Sequence, residues 1–196
     1  NLLYIKLHFI IAENIQNYNI NVASNSLVTW VESHDNFTSD TSTSGYSSWM
    51  NDWQLKMCWA VIAARSNETP LFFSRPVGGG NGIMFTEETH IGDKGSDLFK
   101  DKEVVAVNKF RNAMVGESEY LKNYQGNNCL IIERGNKGVV IINLGQEKNI
   151  DTDTNLAEGV YTDQVSGSIF TSSNGKLSGN VKSGNIAVLY KNNIIK

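Results

Sequence analysis

Short apolar runs alternate with polar, glycine- and asparagine-rich stretches along the chain, and the texture of the runs changes once. Leu27-Val28-Thr29-Trp30-Val31 is a continuous apolar run, the pattern of a short strand covered on both faces. Serine, threonine, glycine and aspartate dominate from Thr38 to Ser48, which predicts a loop. Asn51 or Asp52 is placed to cap a following helix, in which Trp49, Trp53, Ala60 and Ala64 fall near one face, and the tryptophans read as core anchors rather than sugar platforms. Leu71-Phe72-Phe73 predicts a second short strand, followed by a long loop from Arg75 to Lys100 whose Gly78, Gly79, Gly80 and Gly82 leave the backbone free to take positive φ. Asp101 caps a second helix with Val104, Val107, Phe110 and Met114 along one side, and Gly116 closes it.

After Glu117 the runs become alternating or β-branched. Strands are predicted over Cys129 to Arg134, Gly138 to Leu144, Gly159 to Asp163, Lys176 to Val181 and Ile186 to Tyr190, with Gly135-Asn136-Lys137 as a hairpin turn. The segment reads as a separate antiparallel sheet domain.

Composition sets limits on partners and compartment. A chain of 196 residues with 40% hydrophobic content can bury one sizeable core, or one small core plus part of another. A net charge of -3 leaves no basic face for nucleic acid or anionic lipid, so neither a nucleic acid nor a membrane is expected as partner. Cys58 and Cys129 are the only cysteines, and their spacing suggests neither a metal site nor a redox motif; Cys58 sits inside the helical pattern and Cys129 opens a later strand, so two separate buried thiols are expected rather than a disulfide. The glycine cluster lacks the lysine and the helix start that a phosphate loop requires. The apolar start, Asn1 to Ala12, is too short to span a membrane and lacks the basic leading region and the cleavage site of a signal peptide. It reads as a truncation or rearrangement junction, or as a non-native start.

The chemistry concentrates at Glu32-Ser33-His34-Asp35-Asn36, where the first apolar run ends abruptly in an imidazole and a carboxylate. A parallel barrel presents reactive groups in this way, at the carboxyl-terminal rim of its strands. The run resembles the His-Asp motif on the seventh barrel strand of alpha-amylases, the retaining glycosidases that cut alpha-1,4-glucans. Two more blocks resemble a subfamily of secreted bacterial alpha-amylases. The first is Thr69-Pro70-Leu71-Phe72-Phe73-Ser74-Arg75-Pro76 with Gly78-Gly79-Gly80-Asn81-Gly82; the second is Ile91-Gly92-Asp93-Lys94-Gly95-Ser96 followed by Val105-Ala106-Val107-Asn108-Lys109-Phe110. The resemblance runs in order from about Ser26 to about Tyr190.

It implies a fold of class α/β plus all-β. The last two strand-helix units of a (β/α)8 TIM barrel would occupy 26–118, an antiparallel β-sandwich would occupy 119–196, and 1–25 would be unmatched. Asp35 would be the third carboxylate of the family, which contacts hydroxyls of the sugar being cleaved and favours the positively charged transition state, and His34 would hydrogen-bond the same sugar. The partner implied is an alpha-glucan, together with a barrel segment that supplies the missing strands. Retaining hydrolysis needs a nucleophilic carboxylate and a proton-donating acid roughly 5 Å apart. The family carries both on earlier strands, so the chain alone is expected to be inactive. Glu117 follows glycine like the family's proton donor but lies after a helix. Glu32 points away from Ser33 across its strand, and Arg75 either reaches the rim or makes a structural salt bridge. No cofactor or metal is expected in this segment, because the calcium ligands of complete family members come mostly from earlier strands and an inserted domain. The resemblance also implies an extracellular protein. The competing readings are a non-catalytic glucan-binding protein and the remnant of a disrupted amylase gene.

Overall fold

The computed structural model describes Ala12, residues 23–38 and residues 47–191. Most of the segment 1–25, including nearly all of the apolar start, and most of the loop from Thr38 to Ser48 lie outside the described residues. Two short strands, β1 (Val28–Trp30) and β2 (Thr69–Leu71), pair in parallel with Trp30 opposite Leu71. The second begins two residues earlier than Leu71-Phe72-Phe73 suggests and takes in Pro70. Thr69 donates its N–H to the Leu27 carbonyl, so the next nitrogen, that of Pro70, faces away from β1 and breaks no ladder bond. The expected cover on both faces is not found: Val28 and Leu71 are about half exposed, because among the described residues these strands pair only with each other.

Between them lie a one-turn helix, α1 (His34–Thr38), and the longer α2 (Asp52–Ala63). Asn51 is the cap of α2: its Oδ1 accepts from the Gln54 N–H at 2.9 Å, and Gln54 Oε1 accepts from the Asn51 N–H at 2.8 Å. Trp49 and Trp53 are not core anchors. They sit before and at the first turn of α2, where neighbouring elements leave them partly exposed, and the Trp53 indole N–H donates to the Gly184 carbonyl at 2.7 Å. The buried tryptophan is Trp59, edge-on to Phe72. A third helix, α3 (Lys102–Ala113), starts at Asp101, whose side chain accepts from the Glu103 N–H, and buries Val104, Val107 and Phe110, with Met114 buried just beyond its end.

The remaining strands form two antiparallel sheets. One has the order β10 (Ile186–Tyr190), β5 (Gly138–Asn143), β4 (Cys129–Arg134), β3 (Glu119–Asn123). The other has the order β6 (Lys148–Asp153), β9 (Lys176–Val181), β8 (Ile169–Ser173), β7 (Gly159–Thr162). Every residue of β4, β5 and β10 is buried because the first sheet is covered twice. Leu130, Ile132, Val140, Ile142 and Val188 pack on the helices, in one core with Ala60, Val107 and Phe110. The alternate residues Ile131, Val139, Ile141 and Leu189 pack on the second sheet against Ile150, Tyr161, Phe170 and Leu177. The fold is thus a β-sandwich with a helical layer and part of a barrel laid on one side.

Strands β3, β6 and β8 are not announced by the pattern of apolar runs along the sequence. β3 and β6 are sheet edges carrying Lys122, Lys148 and Asp151, and charges suit an edge that must not recruit another chain. Gly179 on β9 leaves the space that the Phe170 ring occupies between the sheets, since a Cβ there would collide with the ring.

Candidate active site

Parallel strands end at the same rim, so whatever follows β1 meets whatever follows β2. Glu32 and Arg75 meet there. Both are buried, at 4% and 3% exposure, and they pair fork to fork: Arg75 Nε donates to Glu32 Oε1 at 2.7 Å and Nη2 to Oε2 at 2.8 Å. A buried ion pair offsets its desolvation only when the remaining polar positions are also bonded. Here Ser47 Oγ donates to Glu32 Oε2 at 2.7 Å, while Arg75 Nη1 and Nη2 donate to the Met50 and Ser47 carbonyls at 2.6 and 2.7 Å.

The Phe37 ring lies beside the guanidinium, its centre 5.2 Å from Arg75 Cζ, and contacts Phe73 and Phe85. The glycine run serves this packing as well as its own turn. A Cβ on Gly79 would stand 2.8 Å from the end of the Phe37 ring, and one on Gly80, where φ is +124°, would stand 2.7 Å from Arg75 Nη1.

Above this floor sits α1. Asn36 is buried, and its Oδ1 accepts from Ser33 Oγ at 2.9 Å and from the Trp30 indole N–H at 3.3 Å, while its carbonyl accepts from the Ser47 N–H at 2.8 Å. With Glu32, Asn36 and Phe37 turned inward, His34 and Asp35 point out. Their side chains are 79% and 83% exposed, with His34 Nε2 3.2 Å from Asp35 Oδ1. The two candidate residues therefore stand together on an exposed rim, in a short helical turn beyond the strand end. Arg75 does not join them; it makes the structural salt bridge, and Glu32 is its partner. Neither residue alone announced that pairing, although an acid and an arginine shortly after two adjacent strands are its signature.

Glu117 lies after α3, paired with Lys137. Cys58 and Cys129 are free, buried thiols. Burial, with a smaller contribution from the Glu32 charge, pushes the Cys58 thiol up to about 12. Among the described residues no group of three His, Cys, Asp or Glu side chains could hold a metal ion, and no helix is long and apolar enough to cross a membrane.

Residues 120–192 match the family model of the alpha amylase C-terminal all-beta domain. An alpha-amylase of Clostridium acetobutylicum is 41% identical over 171 residues, covering 87% of this chain and 20% of the relative. An alpha-amylase of Butyrivibrio fibrisolvens is 44% identical over 170 residues, covering 83% of this chain and 17% of the relative. The chain spans a fifth or less of the length of these curated relatives. Among solved structures, alpha-amylase I of Eisenia fetida, in a variant complexed with maltohexaose, superposes with a TM-score of 0.62 at 14% identity, over 87% of this chain and 42% of that one. An Anoxybacillus alpha-amylase does so with a TM-score of 0.56 at 18% identity, over 84% and 38%. At those identities the likeness is one of fold. The two antiparallel sheets resemble an alpha-amylase C-terminal all-beta domain, and the chain as a whole resembles the carboxyl-terminal portion of an alpha-amylase.

Proposed function

We propose that the polypeptide carrying this chain is a retaining alpha-amylase that cleaves internal alpha-1,4-glucosidic bonds of starch-like glucans outside the cell. In this reading Asp35 is the carboxylate that favours the positively charged transition state, and His34 hydrogen-bonds the same sugar. The observation that carries it is the His34–Asp35 pair, exposed at the end of a strand that pairs in parallel with its neighbour, in a chain 41% identical to an alpha-amylase.

An exposed carboxylate set on a buried floor can approach a bound sugar without any rearrangement of the core. A negative charge fixed before the reaction stabilises positive charge as it develops and adds little to ground-state binding. The nucleophile, the proton donor and any calcium belong to the earlier strands of such a barrel. In this division 26–118 is barrel, 119–196 is the sheet domain, and the 196-residue chain assayed by itself releases no reducing sugar from starch.

The test uses a complete alpha-amylase barrel in which this chain supplies the last two strand-helix units. Asp35→Asn is expected to lower turnover by roughly 10²- to 10³-fold with little change in binding, and His34→Ala to cost less, since a neutral hydrogen bond contributes only about 1 kcal/mol. Turnover of Asp35→Asn within about threefold of the parent, against the loss expected for one preorganised contact, would make the carboxylate structural. Binding of maltooligosaccharides with no turnover in the intact barrel would favour a glucan-binding protein instead.

A further inference from the structure

Replacing a buried ion pair by apolar residues of similar volume is often neutral or stabilising, so stability does not account for Glu32 and Arg75. Their geometry suggests another role. The pair ties three separate segments together: the chain after β1 through Glu32, the chain after β2 through Arg75, and residues 47–50 through the Ser47 hydroxyl and the Ser47 and Met50 carbonyls. Both residues that follow Asp35 are fixed by this clamp. Ser47, held by Glu32 and Arg75, donates its N–H to the Asn36 carbonyl, and the Arg75 guanidinium lies against the Phe37 ring. The Asp35 side chain is 83% exposed, so its direction is set by the backbone beneath it rather than by packing around it. A single helical turn has no stability of its own to set that direction.

Resting on the reading of Asp35 as a transition-state contact, we propose that Glu32 and Arg75 are positioning residues, which lock the turn from His34 to Phe37 so that the Asp35 carboxylate stands where charge develops on the sugar. They touch no substrate. Their effect passes through Ser47 to Asn36 and through Phe37.

Arg75→Lys keeps the positive charge but loses the planar fork that grips both Glu32 oxygens and two carbonyls. In the complete barrel it should lower kcat by roughly 10- to 100-fold, the scale of a small misplacement of a reacting group, while KM stays within about threefold because the change falls on the transition state rather than on uniform binding. Ser47→Ala removes one bond of the clamp without leaving a charge unpaired and should cost a smaller factor of the same kind. In the 196-residue chain, hydrogen exchange of the Phe37 and Ser47 amides should quicken in Arg75→Lys while the amides of Ile131 and Ile141, in the sheets, keep the parent's rates.

Quickened exchange at Phe37 and Ser47 with kcat unchanged would overturn the inference, as would a rise in KM with kcat unchanged. Should Arg75→Lys loosen the sheets as well, Ser47→Ala carries the test, and unaltered kcat there overturns it. Asp35→Asn, assayed alongside, separates the two claims. If it lowers turnover and the clamp variants do not, only the positioning role fails; if it has no effect, the role of Asp35 fails first and takes the clamp with it.

Discussion

Arg134 donates to the carbonyl of Arg65 across 69 residues of chain, at 2.9 Å, and so joins the end of β4 to the end of a helix. It also reaches the Ala64 carbonyl at the end of α2 and the Met114 and Glu117 carbonyls at the end of α3. Carbonyls at helix ends have no partner inside the helix. A guanidinium that is 1% exposed supplies donors to two such ends at once.

Arg134→Met should therefore destabilise the fold while preserving its volume. The Arg65 and Met114 carbonyls keep other donors, from Arg111 and the Glu117 N–H, but those of Ala64 and Glu117 lose the one Arg134 gives. A buried polar group left unsatisfied costs about 1–3 kcal/mol, which gives an expected loss of roughly 2 kcal/mol, most of it at the buried Ala64 carbonyl, since that of Glu117 is only partly buried. Urea unfolding should show a lower midpoint with an unchanged slope. A midpoint equal to that of the parent would mean that water serves these carbonyls as well as Arg134 does.

A second network responds to pH. Burial pushes the Glu133 carboxyl up, but Lys122 Nζ at 2.9 Å, the Asn155 N–H at 3.1 Å and the Thr154 hydroxyl at 2.9 Å outweigh it and hold the group below its ordinary value of 4.5. A carboxyl whose value is lower in the folded than in the unfolded chain contributes stability above the unfolded value and loses it as pH falls through the folded one. Stability should therefore decline as pH drops below 4.5. Glu133→Gln should lose about 1–3 kcal/mol at neutral pH, in line with hydrogen bonds to a charged group, and should flatten the acid decline. Urea midpoints from pH 7 to pH 3 test this, and an equally steep decline in the variant would place the acid sensitivity elsewhere.

The strands legible in the sequence are those whose side chains are buried on one or both faces. Cys129–Arg134, Lys176–Val181 and Ile186–Tyr190 have the bounds their patterns announce. Lys148–Asp153 was not legible, because Ile150 is its single buried residue and its place is set by pairing with β9. Trp49 and Trp53 misled for the opposite reason: aromatic size at helical spacing says nothing about whether a neighbour arrives to cover that turn. His34 and Asp35 were legible through their place after an apolar run. The Glu32–Arg75 pair was not, since the contact spans 43 residues and depends on the register of two short parallel strands.

The thiols should be silent in the native protein. Burial pushes Cys129 up to about 11, slightly offset by Lys148, and Cys58 up to about 12; neither has a thiolate at neutral pH, and both are at most 4% exposed. The thiolate is the reactive form. A disulfide-exchange reagent at pH 8 should titrate two thiols in denaturant and under about a tenth of that within an hour in buffer, given thiolate control of the rate. Rapid reaction of one thiol in buffer would show that its segment opens.

Because α2 and α3 share the core of the first sheet, the helical layer should not come away from the sandwich when the loop between the helices is cut. Lys94 and Lys100 lie in that loop region with side chains 72% and 58% exposed, whereas Arg65, Arg75 and Arg134 are nearly fully buried. Among the described residues, trypsin should cut at Lys94 or Lys100 first. The nick leaves α2 on one piece and α3 with both sheets on the other. Trp59 still donates to Asn108 at 3.0 Å across the break, and Met57, Ala60 and Ile62 still pack with Val107, Phe110 and Ile132. The pieces should co-elute in native size-exclusion chromatography and separate only in denaturant. A fragment beginning at Glu119, by contrast, would bare Leu130, Ile132, Val140, Ile142 and Val188 to water, an apolar face that should bind a hydrophobic dye and promote association. Separation of the nicked pieces in native buffer, together with a monomeric and dye-silent 119–196 fragment, would show that the sandwich closes its core without the helices.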